Sequence, residues 1–200
     1  MTKDHFAPKA GSYDQSKDRV DNVAQIANAI LGNLYLTQSM HIMDFGSGTG
    51  LLLERLAPYV GKVTAVDVSP SMNAQLRQKL STIPCEVEIL DIDLEKSRLD
   101  RKFDGIISSM TMHHIHDVPT MFGHFHAMLN DGGFIAIADL ESEDGTFHSQ
   151  DTGVHHHGFS TAAIVGSAST AGFKNVAALT VSIVRKEQGD YPVFLLTATR

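Results

Sequence analysis

The feature that most constrains this chain is a short hydrophobic run that stops abruptly at three closely spaced glycines. The run covers residues 41–45, the glycines are Gly46, Gly48 and Gly50, and a leucine-rich segment follows at once. This order predicts a strand, a tight turn and a helix, because glycine permits a sharp turn and a close approach of the backbone to a ligand. In a parallel α/β sheet, ligands bind where strands end and helices begin, so the turn predicts a cofactor site.

The spacing of the glycines separates two kinds of cofactor site. A dinucleotide fingerprint, Gly-x-Gly-x-x-Gly, would need its third glycine at the position of Leu51. The chain instead has Asp-x-Gly-x-Gly-x-Gly from Asp44 to Gly50. This pattern resembles the first motif of the class I S-adenosylmethionine-dependent methyltransferases, and the later motifs look like those of the small bacterial ubiquinone and menaquinone biosynthesis branch. The resemblance implies a methyltransferase that uses S-adenosylmethionine and releases S-adenosylhomocysteine.

The pattern along the rest of the chain predicts an α/β fold. Five hydrophobic runs alternate with segments of helical period, and two alternating segments over 178–185 and 191–199 predict a terminal hairpin. We therefore predict a three-layer, doubly wound, seven-stranded, mostly parallel sheet with a C-terminal antiparallel hairpin, which is the Rossmann-like methyltransferase architecture. The 200 residues, 42 % of them apolar, fit one domain over residues 1–200. Within it we predict a flexible arm over 1–16 and a substrate loop over 141–159.

Asp67 is the candidate ribose-binding acid. It ends the second predicted strand, about twenty residues after the glycine turn, where nucleotide-binding α/β folds place a carboxylate that accepts from the ribose hydroxyls. The alternative is a solvent-facing turn residue. The full set of predicted cofactor-binding residues is Tyr13, Asp44, Gly46, Ser47, Gly48, Gly50, Asp67, Val68, Met72, Asp91, Ile92 and Ser108.

Four members of that set follow from the resemblance and keep their alternatives. The resemblance implies that Asp91 and Ile92 contact the adenine, although Asp93 is close enough to compete. It also implies that Met72 lies near the adenine, whereas methionine at helical spacing also fits a core position. Tyr13 corresponds to an aromatic residue that closes over the cofactor, or it simply packs a helix onto the sheet.

Two histidine clusters are candidates for chemistry. The stretch 112–114, Met-His-His, resembles the fourth motif of the family, in which a leucine and two histidines follow the fourth strand. Imidazole titrates near neutrality and could remove a proton from a hydroxyl or phenol acceptor. We take His113 and His114 as catalytic candidates and His155, His156 and His157 as substrate-binding candidates. A metal ion between the two clusters is the alternative, but adjacent residues of an extended segment point in opposite directions, so we predict no metal.

Charge and composition bear on partners and location. The net charge is −7 and the chain has no Lys/Arg cluster, which argues against a nucleic-acid partner. No apolar run approaches the length of a membrane helix, and the start lacks the apolar core of a signal peptide. We expect a cytoplasmic monomer or homodimer that acts on a small molecule, without a membrane partner. Two other functions stay open, an NAD-dependent oxidoreductase and a non-catalytic protein that binds S-adenosylmethionine or a metal.

Overall fold

Seven strands form one sheet in the computed structural model, which describes residues 4–148 and 153–200. Residues 1–3 of the predicted arm and 149–152 of the predicted substrate loop lie outside the described residues. The strands are β1 (His41–Phe45), β2 (Lys62–Val66), β3 (Glu86–Leu90), β4 (Phe103–Ser109), β5 (Leu129–Leu140), β6 (Lys174–Lys186) and β7 (Gly189–Thr199). Their order is β3-β2-β1-β4-β5-β7-β6. Strands β1 to β5 are parallel, and β7 is antiparallel to both β5 and β6.

Helices cover both faces of this sheet. They are α1 (Lys17–Asn33), α2 (Leu51–Leu56), α3 (Pro70–Lys79), α4 (Val118–Met128) and α5 (Thr161–Thr170), and a 3₁₀ helix precedes them over Ala10–Gln15. Side chains at the starts of α3, α4 and α5 accept hydrogen bonds from backbone amides of the first turn. These caps are Ser69, Asp117 and Ser160.

The sheet separates two apolar cores. Ile26 of α1 and Leu53 of α2 pack on one face, and Phe122 of α4 and Ile164 of α5 pack on the other. The predicted fold class, a three-layer mostly parallel sheet ending in an antiparallel hairpin, is confirmed. Among the described residues, no helix is both long enough and apolar enough to cross a bilayer.

The hairpin and β5 extend beyond the predicted boundaries. Strand β6 begins at Lys174, four residues before the predicted start, and its pairing with β7 shifts register near Asn175, which has a positive φ of 52°. Strand β5 includes the predicted turn over 130–133, and its pairing with β4 is interrupted between Leu129 and Phe134. Both extensions carry irregular pairing, so they lack the regular alternation by which a strand is recognised in sequence.

Candidate functional site

A cleft opens at the carboxyl ends of the parallel strands β1, β2 and β4. It consists of two adjoining cavities of about 380 and 180 Å³. Residues of the stretches 44–52 and 109–114 border the larger one, which we call the large cavity. Residues 66–68 and 92–95 border the other, which we call the small cavity. Tyr13, Gly48 and His114 border both, so one elongated ligand could occupy the two together.

The glycine turn and Asp67 lie side by side in this cleft. The Gly48 N–H donates to Oδ2 of Asp67 at 2.8 Å, and the Ser69 N–H donates to Oδ1 at 2.8 Å. Burial raises the pKa of Asp67, although the two amide hydrogen bonds oppose that shift. Gly46 has a φ of +69°, and a Cβ there would lie 2.2 Å from the Thr111 side chain. The turn therefore requires glycine at Gly46, both for its conformation and for its packing.

Most of the predicted cofactor residues border the cleft. These are Tyr13, Asp44, Gly46, Ser47, Gly48, Asp67, Val68, Met72 and Ile92. They come from the arm, the glycine turn and the ends of β2 and β3, as expected for a site at the carboxyl edge of a parallel sheet.

Two predicted cofactor residues lie behind the walls of the cleft. A Cβ on Gly50 would meet Leu76 Cδ1 at 2.5 Å, so Gly50 serves the packing of α2 against α3. The Ser108 hydroxyl donates to the Phe45 carbonyl at 2.7 Å and is fully buried within the sheet. Its neighbour Ser109 borders both cavities instead.

Asp91 also points away from the cleft. Its carboxylate accepts from Asn73 and forms an ion pair with Arg77 at 2.9 Å, because it follows β3 directly on the side covered by α3. The chain reaches the cleft with Ile92, and the acids after β3 that border the small cavity are Asp93 and Glu95.

Buried polar atoms without a hydrogen-bond partner cluster around the large cavity. Within the described part of the chain they are Asn22 Oδ1, Asp44 Oδ2, Ser47 Oγ, Ser109 Oγ and His113 Nε2. An unsatisfied buried polar group costs about 1–3 kcal/mol, so these atoms fit a ligand that carries several polar groups. The amino, carboxylate and hydroxyl groups of S-adenosylmethionine meet that requirement. Burial, followed by the charge of Asp67, raises the pKa of Asp44 to about 8.

His113 is held by an acid that the sequence analysis missed. Its Nδ1 lies 2.6 Å from Oδ1 of Asp139, and its backbone N–H donates to Oδ2 at 3.1 Å. Both side chains are buried. Burial alone would raise the pKa of Asp139, but His113 and the amide of Leu140 hold it below its usual value. An ionised Asp139 accepts the Nδ1 proton, so the lone pair of His113 lies on Nε2.

Asp139 could have been found from one signal in the sequence. It interrupts the apolar run Ile-Ala-Asp-Leu near the end of the predicted fifth strand, where a buried charge needs a partner. In the structure β5 lies beside β4, and the residues that follow β4 include His113.

Two further histidines near His113 are uncharged at neutral pH. Burial, followed by the nearby His113, lowers the pKa of His114 to about 4. His114 Nδ1 donates to the Gly153 carbonyl at 3.1 Å, an assignment that follows because a carbonyl only accepts. His148 belongs to the predicted substrate loop, and its ring centre lies 5.0 Å from that of His113. Burial lowers the pKa of His148 to about 3.

The three predicted substrate histidines hold the loop in place instead of bordering the cleft. The amides of His155 and His156 donate to the His113 carbonyl at 2.9 and 3.1 Å, and His156 Nε2 donates to the Ile115 carbonyl at 2.9 Å. The side chain of His157 is exposed. None of the three borders either cavity. In the described ranges no group of three or more His, Cys, Asp or Glu residues is arranged to hold a metal ion.

The arm lies across the mouth of the cleft. Asp4 accepts from the Ser71 hydroxyl at 2.7 Å, and Asp14 accepts from the Thr49 hydroxyl at 2.5 Å. These contacts join the arm to the glycine turn and to the first turn of α3, and Tyr13 of the arm borders both cavities. The flexibility of the arm stays a prediction.

Comparison with known proteins agrees with this geometry. The sequence matches the methyltransferase-domain family over residues 42–133. An uncharacterised methyltransferase of Schizosaccharomyces pombe is 29 % identical over 203 residues, which cover 93 % of this chain and 68 % of the relative. A malonyl-[acyl-carrier protein] O-methyltransferase of Ilyobacter polytropus is 25 % identical over 134 residues, 64 % of this chain, and the match spans only 50 % of that relative.

The fold has solved counterparts as well. The structure of the DhpI–SAM–HEP complex superimposes with a TM-score of 0.76 at 19 % identity, over 98 % of this chain and 94 % of that chain. These matches confirm the predicted family, enzyme class and S-adenosylmethionine cofactor, and they give no support to the oxidoreductase or the non-catalytic alternative. The kinship with the quinone branch stays a prediction. Together, these findings support the assignment of the chain as a class I S-adenosylmethionine-dependent methyltransferase.

Proposed function

We propose that this protein methylates an oxygen atom of a small-molecule acceptor, with His113 as the general base. The observation that carries the proposal is the buried His113–Asp139 pair, whose histidine borders the same cavity as the glycine turn. S-adenosylmethionine, when bound, supplies a methyl group on a positively charged sulfur. The protein must align the acceptor oxygen with that methyl group and remove the hydroxyl proton.

The His113–Asp139 pair suits proton removal. Asp139 fixes the tautomer in which Nε2 of His113 is the acceptor, and its negative charge stabilises the imidazolium that forms when Nε2 takes the proton. The proton then passes from Nε2 to water after the product leaves. The carboxylate itself remains ionised, since its pKa is held below the usual value.

We assign the two cavities to the two ends of the cofactor. In this proposal Asp67 accepts from the ribose hydroxyls, and Met72 and Ile92 border the adenine in the small cavity. The amides of the glycine turn and the carboxylate of Asp44 bind the amino-acid end. Support comes from the unpartnered Oδ2 of Asp44 and from the contact of Asp67 with the Gly48 amide.

Two side chains at the junction of the cavities protect the reacting centre. His114 borders both cavities, and its lowered pKa keeps the ring uncharged, so it does not repel a sulfonium. Tyr13, held over the junction by the arm, limits the access of water. We propose that His114 lines the reaction site and that His113 alone acts as the base.

Methyl transfer from tritiated S-adenosylmethionine to a panel of small alcohols, phenols and hydroxy acids tests this function. His113→Ala should lower the transfer rate by about 100-fold or more, in the range lost with a general base. The affinity for S-adenosylhomocysteine, measured by calorimetry, should stay unchanged. His116→Ala is the control, because its side chain is exposed and outside both cavities.

Two results would contradict the proposal. A His113→Ala variant as active as the wild type would exclude the base. Tight binding of S-adenosylhomocysteine without transfer to any member of the panel would favour the non-catalytic alternative. The cytoplasmic location, the lack of nucleic-acid or membrane partners and the monomeric or homodimeric state stay predictions from composition.

A further inference from the structure

Three cationic side chains border the large cavity, and they come from three separate segments of the chain. Lys9 belongs to the arm, Arg19 to α1 and Lys186 to the end of β6. Each cation lies over an aromatic ring that borders the same cavity: Lys9 Nζ is 4.9 Å from the ring centre of Phe6, Arg19 Cζ is 4.3 Å from that of Tyr13, and Lys186 Nζ is 3.6 Å from that of Phe147. The rings position the cations without neutralising them.

These cations lack carboxylate partners in the part of the chain that the structure describes. Within residues 4–148 and 153–200, none of the three forms an ion pair, whereas Lys62, Arg77 and Lys79 all do. Three acids lie in the neighbourhood. Asp44 borders the same cavity, and its pKa, raised by burial to about 8, favours its neutral form at pH 7. Asp18 borders the cavity from an exposed position, and Glu143 accepts from the amides of residues 145 and 147. The wall therefore keeps an excess of positive charge in a chain of net charge −7.

The three cations are close enough for each to disfavour the charged form of the others. Burial lowers the pKa of Lys9 and of Lys186, and the charge of Arg19 lowers both further. Like charges that are partly withdrawn from water repel, and an anion placed between them removes that cost.

The cofactor alone cannot supply enough negative charge. S-adenosylmethionine carries one carboxylate, together with an ammonium and a sulfonium group that are both positive. It can therefore neutralise at most one of the three cations. We assign that role to Arg19, because it lies over Tyr13, whose hydroxyl interacts electrostatically with Asp67, the proposed ribose-binding acid. Lys9 and Lys186 both act electrostatically on His148, whose ring is beside His113.

We propose that the acceptor is a hydroxy acid whose anionic group, a carboxylate or a phosphate, binds between Lys9 and Lys186 while its hydroxyl reaches His113. This inference rests on the methyl-transfer function proposed above. Arg19 is then left for the carboxylate of the cofactor. The anionic group holds the acceptor at the end of the cavity away from the glycine turn, and the distance from the lysines to His113 selects which hydroxyl is methylated.

Calorimetry on the protein saturated with S-adenosylhomocysteine tests the anion site. The probes are inorganic phosphate, 3-hydroxybenzoate and its neutral amide, 3-hydroxybenzamide, all at low ionic strength. The wild type should bind phosphate and should prefer the acid over the amide by about tenfold or more, as charged hydrogen bonds predict. Lys9→Gln/Lys186→Gln should remove both effects. Lys174→Gln, which changes an exposed lysine at the other end of β6, is the control and should behave as the wild type.

The cofactor site is measured separately in the same variants. S-adenosylhomocysteine should bind the double lysine variant with unchanged affinity, while Arg19→Gln should bind it about tenfold more weakly. Arg19→Gln should still bind 5′-methylthioadenosine, which lacks the amino-acid group, as the wild type does.

Three outcomes would overturn the inference. One is failure of the wild type to bind phosphate or either aromatic probe, and another is a preference for the acid that survives in Lys9→Gln/Lys186→Gln. The third is a loss of S-adenosylhomocysteine affinity in that variant equal to the loss in Arg19→Gln, which would assign the lysines to the cofactor carboxylate. Failure of the wild type to bind S-adenosylhomocysteine would instead refute the proposed function.

Discussion

At the scale of single residues, the proposed chemistry depends on buried groups whose protonation is set by their neighbours. Asp139 and Asp44 are both buried acids, yet their pKa values shift in opposite directions. Asp139 has His113 and backbone amides as partners, whereas Asp44 has an unpartnered oxygen and the negative charge of Asp67 nearby. We infer that the hydrogen-bonding groups of the protein satisfy Asp139, whereas Asp44 is suited to bind a cationic group of a ligand.

The role of Asp139 can be separated from that of a purely structural residue. Asp139→Asn should lower kcat by about 10²-fold or more, because an amide can no longer fix and charge-stabilise His113. S-adenosylhomocysteine affinity should change little. The ¹⁵N NMR spectrum of His113 should show loss of the tautomer protonated on Nδ1. An unchanged spectrum together with a normal rate would refute the positioning role.

The ribose assignment predicts a contrast between two neighbouring acids. Asp67→Ala should weaken S-adenosylhomocysteine binding by about 1–3 kcal/mol, which is the value of charged hydrogen bonds. Asp91→Ala is the matched control, since its carboxylate faces Arg77 and does not border the cleft. Calorimetry should therefore show a loss for the first variant only. An equal loss of S-adenosylhomocysteine affinity in both variants would instead indicate that Asp91 contacts the adenine.

The raised pKa of Asp44 predicts how stability depends on pH in the free protein. In the unfolded chain this acid ionises near pH 4, whereas in the folded protein it holds its proton up to about pH 8. Between those pH values the folded state binds more protons than the unfolded state. The free energy of unfolding therefore falls by up to about 1.4 kcal/mol for each pH unit of increase, because of Asp44. Asp44→Asn should flatten that decline in urea unfolding measured from pH 5 to pH 8. An equal slope in both proteins would contradict the shift.

At the scale of elements, the sequence predicts where strands end better than which side chain faces the cleft. The ends of β1, β2 and β4 follow from apolar runs that stop at glycine or polar residues. The sequence predicts Ser108 at the cleft, but Ser109 borders it instead. An error of one residue along a strand places the side chain on the opposite face of the sheet. The contact between Asp139 and His113 depends on β4 and β5 lying side by side, and residue spacing alone does not report that neighbourhood.

Gly46 of the glycine turn packs against Thr111 of the loop after β4, so substitutions at these two positions should have coupled effects on stability. Gly46→Ala should destabilise the protein by more than about 1 kcal/mol, because the new Cβ clashes with Thr111 and the residue keeps a positive φ. Adding Thr111→Ala should recover only part of the loss, since the backbone strain remains. Gly48→Ala is the comparison, because its Cβ would meet no protein atom within 4 Å. Full recovery in the double variant, measured by urea unfolding, would show that φ carries no cost.

At the scale of the whole molecule, the cleft is assembled from segments far apart in sequence. The arm contributes Tyr13, the hairpin contributes Lys186, and the turn after β1 lies between them. The sheet order brings β1 and β4 together in the centre, while Asp4 and Asp14 attach the arm to α3 and to the glycine turn. The sequence contains no local signal for such contacts, because each residue involved would also fit an exposed surface.

We therefore expect removal of the arm to weaken cofactor binding while leaving the fold intact. A chain that starts at Ser16 should keep the sheet and most of its thermal stability, because Ala10 is the only buried apolar residue among residues 4–15. It should bind S-adenosylhomocysteine about tenfold more weakly or worse, since the walls formed by Phe6 and Tyr13 are lost from both cavities. Circular dichroism and calorimetry measure the two effects, and Gly11→Ala, whose Cβ meets nothing, is the control. If the shortened chain bound with wild-type affinity, the arm would have no part in enclosing the cofactor, and the exclusion of water would have to come from other walls of the cleft, such as Phe147 and His148.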